Sequence, residues 1–382
     1  MSLPNDAYIV GAIRSPIGRG RSDGALNSLH PVDLLAETLS AAAAQAGVPK
    51  NQVEDLIVGC VTATGEQGTN IARLAGLKAG FPIETPGVQV NRYCGSGQQA
   101  IHFASQAIAA GDMDLAIGAG IESMSRVAIG SDGAITDEFR QNFPYPLLHQ
   151  GVSAEMLAEH WKISRTELDE YAAMSHARAA QAAASCWTSR EINPMTVNGR
   201  EVKQDEGVRA NIDPAKMASL QAVFKKDGVI TAGNSSQISD GAAAVILASG
   251  RKADELGLKK RARIVTRVVI GSDPAMMLTG PIEATRRALA KAGLTVDDID
   301  AFEINEAFAS VVLAWARELK PKMDRVNIQG GAIAHGHPLG ATGAVLMTKL
   351  VNILERTGGR YGLQSMCEGF GMANATIIER LD

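Results

Sequence analysis

Short apolar runs alternate along this chain with Ala-rich stretches whose apolar residues recur every three or four positions. The first pattern reads as buried strands and the second as amphipathic helices. A strand is predicted over 8–13, ended by the turn Arg14-Ser15-Pro16. A helix follows over 31–46, with Leu34, Leu35, Thr38 and Leu39 inward and Gly47 as its stop. A strand at 56–60 and a helix at 69–77, started by Asn70, come next. Residues 88–111 then run strand, Cys94-Gly95-Ser96-Gly97, and helix, with Ile101, Ala104, Ser105 and Ile108 on one helical face. A strand at 115–119 closes this unit.

The second half repeats the plan. A strand at 264–270 answers 8–13, and a helix at 281–292 stopped by Gly293 answers 31–46. AGVPKNQVEDLIVG (46–59) and AGLTVDDIDAFEIN (292–305) both run helix end, acidic turn, apolar strand. The stretch 326–354, VNIQGGAIAHGHPLGATGAVLMTKLVNIL, answers the Cys94 stretch as strand, Gly-rich turn and Ala-rich helix. The closing strands 242–248 and 375–379 also correspond. Alternating strands and helices argue for an α/β architecture with mostly parallel inner strands, duplicated as two similar layers. Functional loops of such sheets gather at the carboxyl ends of strands. Cys94 and His337 occupy equivalent strand-to-helix turns, so a pseudo-twofold packing would bring them together. Residues 121–228 have no counterpart in the second half. They contain a helical pattern at 165–185 capped by Ser164 and few strand runs, and read as a long insertion that covers the site.

Composition narrows the function classes. At 382 residues the chain is long for one core. A net charge of −4 gives no sign of nucleic acid or an anionic membrane as partner. The N-terminal segment lacks a basic stretch followed by an apolar core, and no apolar run is long enough to span a membrane. Cys60, Cys94, Cys186 and Cys367 form neither a disulfide framework nor a CxxC pair, which suggests a reducing compartment and hence the cytoplasm.

Four pieces carry chemistry. Cys94 lies at a helix mouth, where unpaired backbone N–H groups and the helix dipole favour a thiolate. The glycines after it leave room for a carbonyl to approach, although a buried structural cysteine fits that turn as well. His337, between Gly336 and Pro338, can take a thiol proton and can donate to an oxyanion. Cys367 ends a strand ahead of Gly369 and Gly371; acid–base work suits it better than metal binding, because no ligand spacing surrounds it. Asn305 and Glu306 end another strand, where buried polar groups would hold a water or orient the histidine.

RSPIG, NRYCGSGQQAI, AGNSSQISDGAA, NEAFA, GGAIAHGHPLGATG and MCEGFGMANA stand in the order and approximate spacing of the thiolase family, which the chain resembles over almost its full length. The resemblance implies duplicated α/β halves with central helices between two mixed sheets, plus an inserted loop domain. The N-terminal half is expected over 1–120 and 229–252, the loop domain over 121–228, and the C-terminal half over 260–382. It implies reversible, coenzyme A-dependent cleavage of a 3-ketoacyl-CoA, or the reverse Claisen condensation, through an acyl-cysteine. Cys94 would carry the acyl group and His337 would activate it. Cys367 would move a proton at the α-carbon. Asn305 would hold a water that forms one oxyanion hole with His337. The N–H groups of Cys94 and Gly369 would form the other. Ser236 and His149 would meet the pantetheine arm. Acyl-CoA and CoA would be substrates, with no permanent cofactor and no metal, in a homodimer or homotetramer. Phe370 stands where the family commonly has glycine and is expected in the acyl pocket; Gln150 points away from strict acetoacetyl specificity. Two other readings are a decarboxylating β-ketoacyl synthase and a non-catalytic acyl-CoA-binding relative.

Overall fold

The computed structural model describes residues 6–133 and 135–381. The first five residues of the segment read for a leader therefore lie outside the described residues. Among the described residues, nine strands follow one another across a single continuous sheet. Their order is Ala301–Ile304, Tyr361–Glu368, Met372–Arg380, Ala262–Gly271, Ala7–Arg14, Ser239–Ser249, Leu115–Ser123, Asp55–Gly59 and Gly87–Val90. The order on one side of the Ala7–Arg14/Ala262–Gly271 seam mirrors the order on the other, so the duplication read from the sequence is a duplication of topology. The seam itself is narrow: its ladder has the pairs Tyr8↔Arg263 and Ile9↔Ala262. The architecture is thus two mixed α/β halves joined edge to edge.

Two expectations are corrected. Inner ladders are antiparallel: Ala7–Arg14 with Ser239–Ser249, Leu115–Ser123 with Ser239–Ser249, and Met372–Arg380 with both of its neighbours. Parallel pairs are confined to the outer strands. The reason is that the closing strand of each half does not arrive through a helical crossover, which a parallel pair requires. In the first half it follows the insertion; in the second it returns by the tight turn after Glu368. The strand expected at 326 is the second correction, for it is reduced to one bridge, Phe302↔Val326. Asn327, at φ 47°, turns the chain there. Its Oδ1 accepts from Ile304 N–H at 2.8 Å and its Nδ2 donates to Ile304 C=O at 2.8 Å. One side chain thereby satisfies the strand edge that a further strand would have covered.

Helices Ser96–Ala110 and Leu339–Thr357 are the equivalent central elements, and residues 339–354 of the second are all buried. They touch backbone to backbone. A Cβ on Gly97 would lie 2.7 Å from Gly340 C=O oxygen and 2.9 Å from Ala344 N, and one on Gly343 would lie 2.2 Å from Gln98 N. Glu122, at the end of its strand, fixes the same region. Its carboxylate accepts from Val61 N–H, Thr62 N–H, Gln67 Nε2 and Gly340 N–H, at 2.9, 3.1, 2.8 and 2.9 Å.

The insertion carries the helix Arg165–Ala184, started by a Ser164/Glu167 capping box, and a small hairpin of Met195–Val197 and Arg200–Val202. It is tied to the first half through buried Arg14, which pairs with Glu191 at 2.8 Å and Asp205 at 2.7 Å. That interaction explains why an arginine ends the first strand.

Because the helix crossing leaves no space for a methyl group, Gly343→Ala should lower stability by about 1–3 kcal/mol. Gly133→Ala, where a Cβ meets nothing within 4 Å, should leave it unchanged. Chemical denaturation of both variants decides; equal midpoints would mean that the helices part at little cost.

Candidate active site

The turn that presents Cys94 is held by its own polar residues. Asn91 Oδ1 accepts from Tyr93 N–H at 2.9 Å, and Asn91 Nδ2 donates to Val61 C=O at 3.0 Å. Ser96 Oγ accepts from Arg92 N–H at 2.8 Å and donates to Tyr93 C=O at 2.6 Å. Tyr93 is forced to φ 47°, so the residue before the cysteine sits in the left-handed region. Cys94 emerges two residues before helix Ser96–Ala110, only 6 % exposed, in the wall of a cavity of about 350 Å³. Val61, Tyr93, Leu148, Met277, Leu339 and Phe370 give that cavity an apolar character; Ile129, Asp132, His149 and Gln150 of the insertion also line it. The insertion therefore supplies one wall, as a covering segment would.

At Cys94 the helix-mouth field, which favours a thiolate, is opposed by burial. Burial pushes the Cys94 thiol up to about 12, and the nearby carboxyls Glu368 and Glu122 push in the same direction. Desolvation of the anion outweighs the helix-mouth field. Cys94 rests as a thiol, and a nucleophilic role would require its proton to leave as substrate arrives.

His337 is equipped to take such a proton. Its N–H donates to Gln237 C=O at 3.0 Å and to Ser239 Oγ at 3.1 Å, which fixes the loop. Thr342 Oγ1 donates to Pro338 C=O at 2.8 Å, which commits its single proton. It must then accept from His337 Nδ1–H, 2.6 Å away. This leaves Nε2 as the unprotonated nitrogen, and it accepts from Asn305 Nδ2 at 3.3 Å. Burial lowers the His337 pKa to about 4, so the ring is neutral, and basic at Nε2, at neutral pH. Leu339, two residues on, packs in one apolar cluster with Cys94, so the two turns meet at the same end of the helix crossing.

Cys367 is the penultimate residue of strand Tyr361–Glu368 and is buried. Its thiol is pushed well up by burial first, and then by the fields of Cys94 and Glu368. Asn305, bonded through its N–H to Ser365 C=O at 3.0 Å, leaves its buried Oδ1 without a partner among the described residues. Gly369 lies against the Tyr93 ring: a Cβ there would be 3.1 Å from Tyr93 Cγ. Phe370 follows at φ 57°, a conformation that costs a non-glycine residue about 1–2 kcal/mol. Its ring meets Tyr93 edge-on at 5.4 Å and lines the cavity, as the sequence suggested.

Cys94, Gly369 and His149 thus share one cavity wall, while His337, Asn305 and Cys367 stand buried. His149 also starts the helix Gln150–His160, with Nδ1 accepting from Gly151 N–H at 3.1 Å and its ring stacked on Phe224. Ser236 is half-buried outside this lining; its N–H donates to Ala307 C=O at 3.0 Å, one residue before the Gln237 that holds His337. Glu306 does not touch His337. It accepts from Tyr171, Ser175, Asn327 and Ile333 N–H at 2.8, 2.7, 3.0 and 3.1 Å, joining the insertion to the loop ahead of the histidine. Sequence reasoning missed Thr342, Tyr93 and Glu122. Thr342 had a signal: a threonine four residues after Pro338, at a helix start, can bond back to that carbonyl.

Thr342→Val should lower kcat tenfold or more, worth about 1.4 kcal/mol, with little change in KM, because Nδ1 loses its acceptor and the wrong tautomer becomes available. Thr342→Ser should restore the rate. Steady-state kinetics that leave kcat unchanged in the valine variant would dismiss the tautomer assignment.

The chain matches the family model of the N-terminal thiolase domain over residues 7–251 and that of the C-terminal thiolase domain over 258–380. It is 47 % identical over 392 residues to a steroid 3-ketoacyl-CoA thiolase of Mycobacterium tuberculosis, covering 100 % of this chain and 95 % of that one. It is 41 % identical over 401 residues to a 3-oxoadipyl-CoA/3-oxo-5,6-dehydrosuberyl-CoA thiolase of Escherichia coli, covering 98 % and 100 %. The crystal structure of human mitochondrial 3-ketoacyl-CoA thiolase in complex with CoA superposes with a TM-score of 0.91 at 36 % identity, covering 100 % of this chain and 99 % of that one. Family models over both halves, full-length relatives and the shared fold agree: the chain belongs to the thiolase family, acyltransferases that work by thiolytic cleavage.

Proposed function

We propose that this thiolase cleaves a 3-ketoacyl-CoA with an uncharged, apolar acyl group, through a thioester on Cys94. The observation that carries this reading is one apolar cavity with a reactive-type thiol in its wall and a second thiol buried beside the first. His337 Nε2 takes the Cys94 proton as sulfur attacks the 3-keto carbon. The bond between the α- and β-carbons then breaks, leaving an acyl group on Cys94 and the enolate of acetyl-CoA. Cys367 gives that enolate its proton at carbon and recovers one from the incoming CoA thiol; as CoA takes the acyl group, Cys94 departs and regains the proton held on His337. The reverse sequence is the condensation. Asn305 with His337, and the N–H groups of Cys94 and Gly369, support negative oxygen in the two halves of the cycle. Ser236 and His149 are assigned to the pantetheine arm.

The cavity argues for the acyl class. Among the described residues, no lysine or arginine lines it, and its acidic member is Asp132. A terminal carboxylate would find no lysine or arginine there and would face a like charge at Asp132. This separates the chain from a relative named for 3-oxoadipyl-CoA. The same reading divides the chain into the two halves and inserted loop domain given above, and assigns it a homodimer or homotetramer working in the cytoplasm. No helix among the described residues is long and apolar enough to cross a membrane.

The test combines an adduct and a comparison. A straight-chain 3-ketoacyl-CoA should leave its acyl group on Cys94 in a peptide digest. With CoA present, its kcat/KM should exceed that of 3-oxoadipyl-CoA by tenfold or more, about 1.4 kcal/mol. An adduct on Cys60, Cys186 or Cys367 removes the assigned nucleophile, and preference for the carboxylated substrate removes the acyl class.

A further inference from the structure

Close to Cys94, outside the lining of the acyl cavity, lies a carboxyl group with no evident use in the cycle. Glu368 is 0 % exposed, and neither of its oxygens has a hydrogen-bond partner among the described residues. It is packed against the residue after the nucleophile: a Cβ on Gly95 would overlap its carboxyl group and would lie 3.0 Å from Asn374 Nδ2. Asn374 Nδ2 donates to Gly95 C=O at 3.2 Å, while its Oδ1 is unpartnered, as is Arg92 Nε on the other flank. Glu368 also follows Cys367 directly in its strand. One carboxyl group therefore adjoins both thiols that the proposed cycle must ionise in turn. Its charged or titratable neighbours among the described residues are Arg92 from the loop before Cys94, Cys94 itself and Cys367. Strand Met372–Arg380 faces it with neutral Asn374.

An ionised carboxylate with no partners in such a place is costly, and a protonated one is not. The carboxyl group sits over Gly95 beside the Asn374 amide, so its charge state bears on the backbone next to Cys94. We propose that Glu368 is a positioning residue that works in its protonated form, and that loss of its proton shuts down both thiols and sets the alkaline limit of turnover. Ionisation adds a negative charge that makes the Cys94 and Cys367 thiolates harder to form. Burial raises the Glu368 pKa to about 8, against the opposing pull of Arg92, so the change falls at mildly alkaline pH. The group is protonated below that point and ionised above it; activity is present below and lost as pH rises through it. An ordinary thiol site behaves in the opposite way, gaining reactivity as pH rises.

This inference rests on the thiolase reading with Cys94 and Cys367 as its working thiols. The experiment is the pH profile of kcat/KM for thiolysis in wild type, Glu368→Gln and Glu368→Asp. Glutamine keeps the size and a donor but cannot ionise; aspartate keeps the charge. Wild type and Glu368→Asp should lose activity on the alkaline side. Glu368→Gln should hold it, so that at about pH 9, each scaled to its own neutral value, it exceeds wild type roughly fivefold or more. Titration of the substrate and of CoA is common to all three and cancels. Alkylation of Cys94 by iodoacetamide, without substrate, should rise at lower pH in Glu368→Gln than in wild type. Superimposable profiles, or an alkaline fall that persists in the glutamine variant, would overturn the inference. So would its disappearance from the aspartate variant, which also decides the matter if the glutamine variant does not fold. Wild type without thiolysis at any pH would instead overturn the underlying reading.

Discussion

Everything at this site depends on two helices touching backbone to backbone. Gly97 and Gly343 allow Ser96–Ala110 and Leu339–Thr357 to cross with no side chain of their own at the contact. Each helix starts just after a candidate reacting residue, so a close crossing near those starts draws the turns of Cys94 and His337 together. The duplicated sheet sets the stage, because equivalent turns of two related halves lie across a pseudo-symmetric seam. Glu122 then secures the result: four donors from the Val61 loop, Gln67 and the start of the second helix converge on one carboxylate. A buried carboxylate with so many partners keeps backbone loops in register.

Burial governs the chemistry. It raises both thiols and lowers the histidine, so the resting site holds neutral Cys94, Cys367 and His337 rather than an ion pair. A neutral site suits the proposed acyl transfer, in which charge would develop only where the assigned oxyanion donors and the moving proton can meet it. The strain at Tyr93 and Phe370 belongs to the same design. Two aromatic residues in the left-handed region, packed edge to face, line the cavity, and the Tyr93 ring lies against Gly369.

Much of this was legible in the sequence, for definite reasons. Amphipathic spacing and capping residues such as Asn70, Ser164, Gly47 and Gly293 marked the helices, and the repeated order of elements gave the paired turns of Cys94 and His337. What was not legible depended on three-dimensional partners. Strand direction across the sheet could not be read from apolar runs. The expected strand at 326 gave way to the Asn327 side chain, which bonds a strand edge whose position the sequence does not reveal. The protonation of the thiol at the helix mouth was not legible because depth of burial, which opposes the helix-mouth field, is a property of the fold. Glu306 looked like a partner for His337 but answers to the insertion, more than a hundred positions away along the chain.

The central claim is a division of labour between two neighbouring thiols, one bonding carbon and the other moving a proton. It is tested most directly by following solvent deuterium into the methyl group of acetyl-CoA with Cys367→Ala while monitoring the acyl state of Cys94. The account requires Cys94 to be acylated as in wild type and the exchange to fall by about a hundredfold or more, the scale of a lost general acid–base. Exchange at the wild-type rate in that variant, or loss of acylation at Cys94, would contradict it.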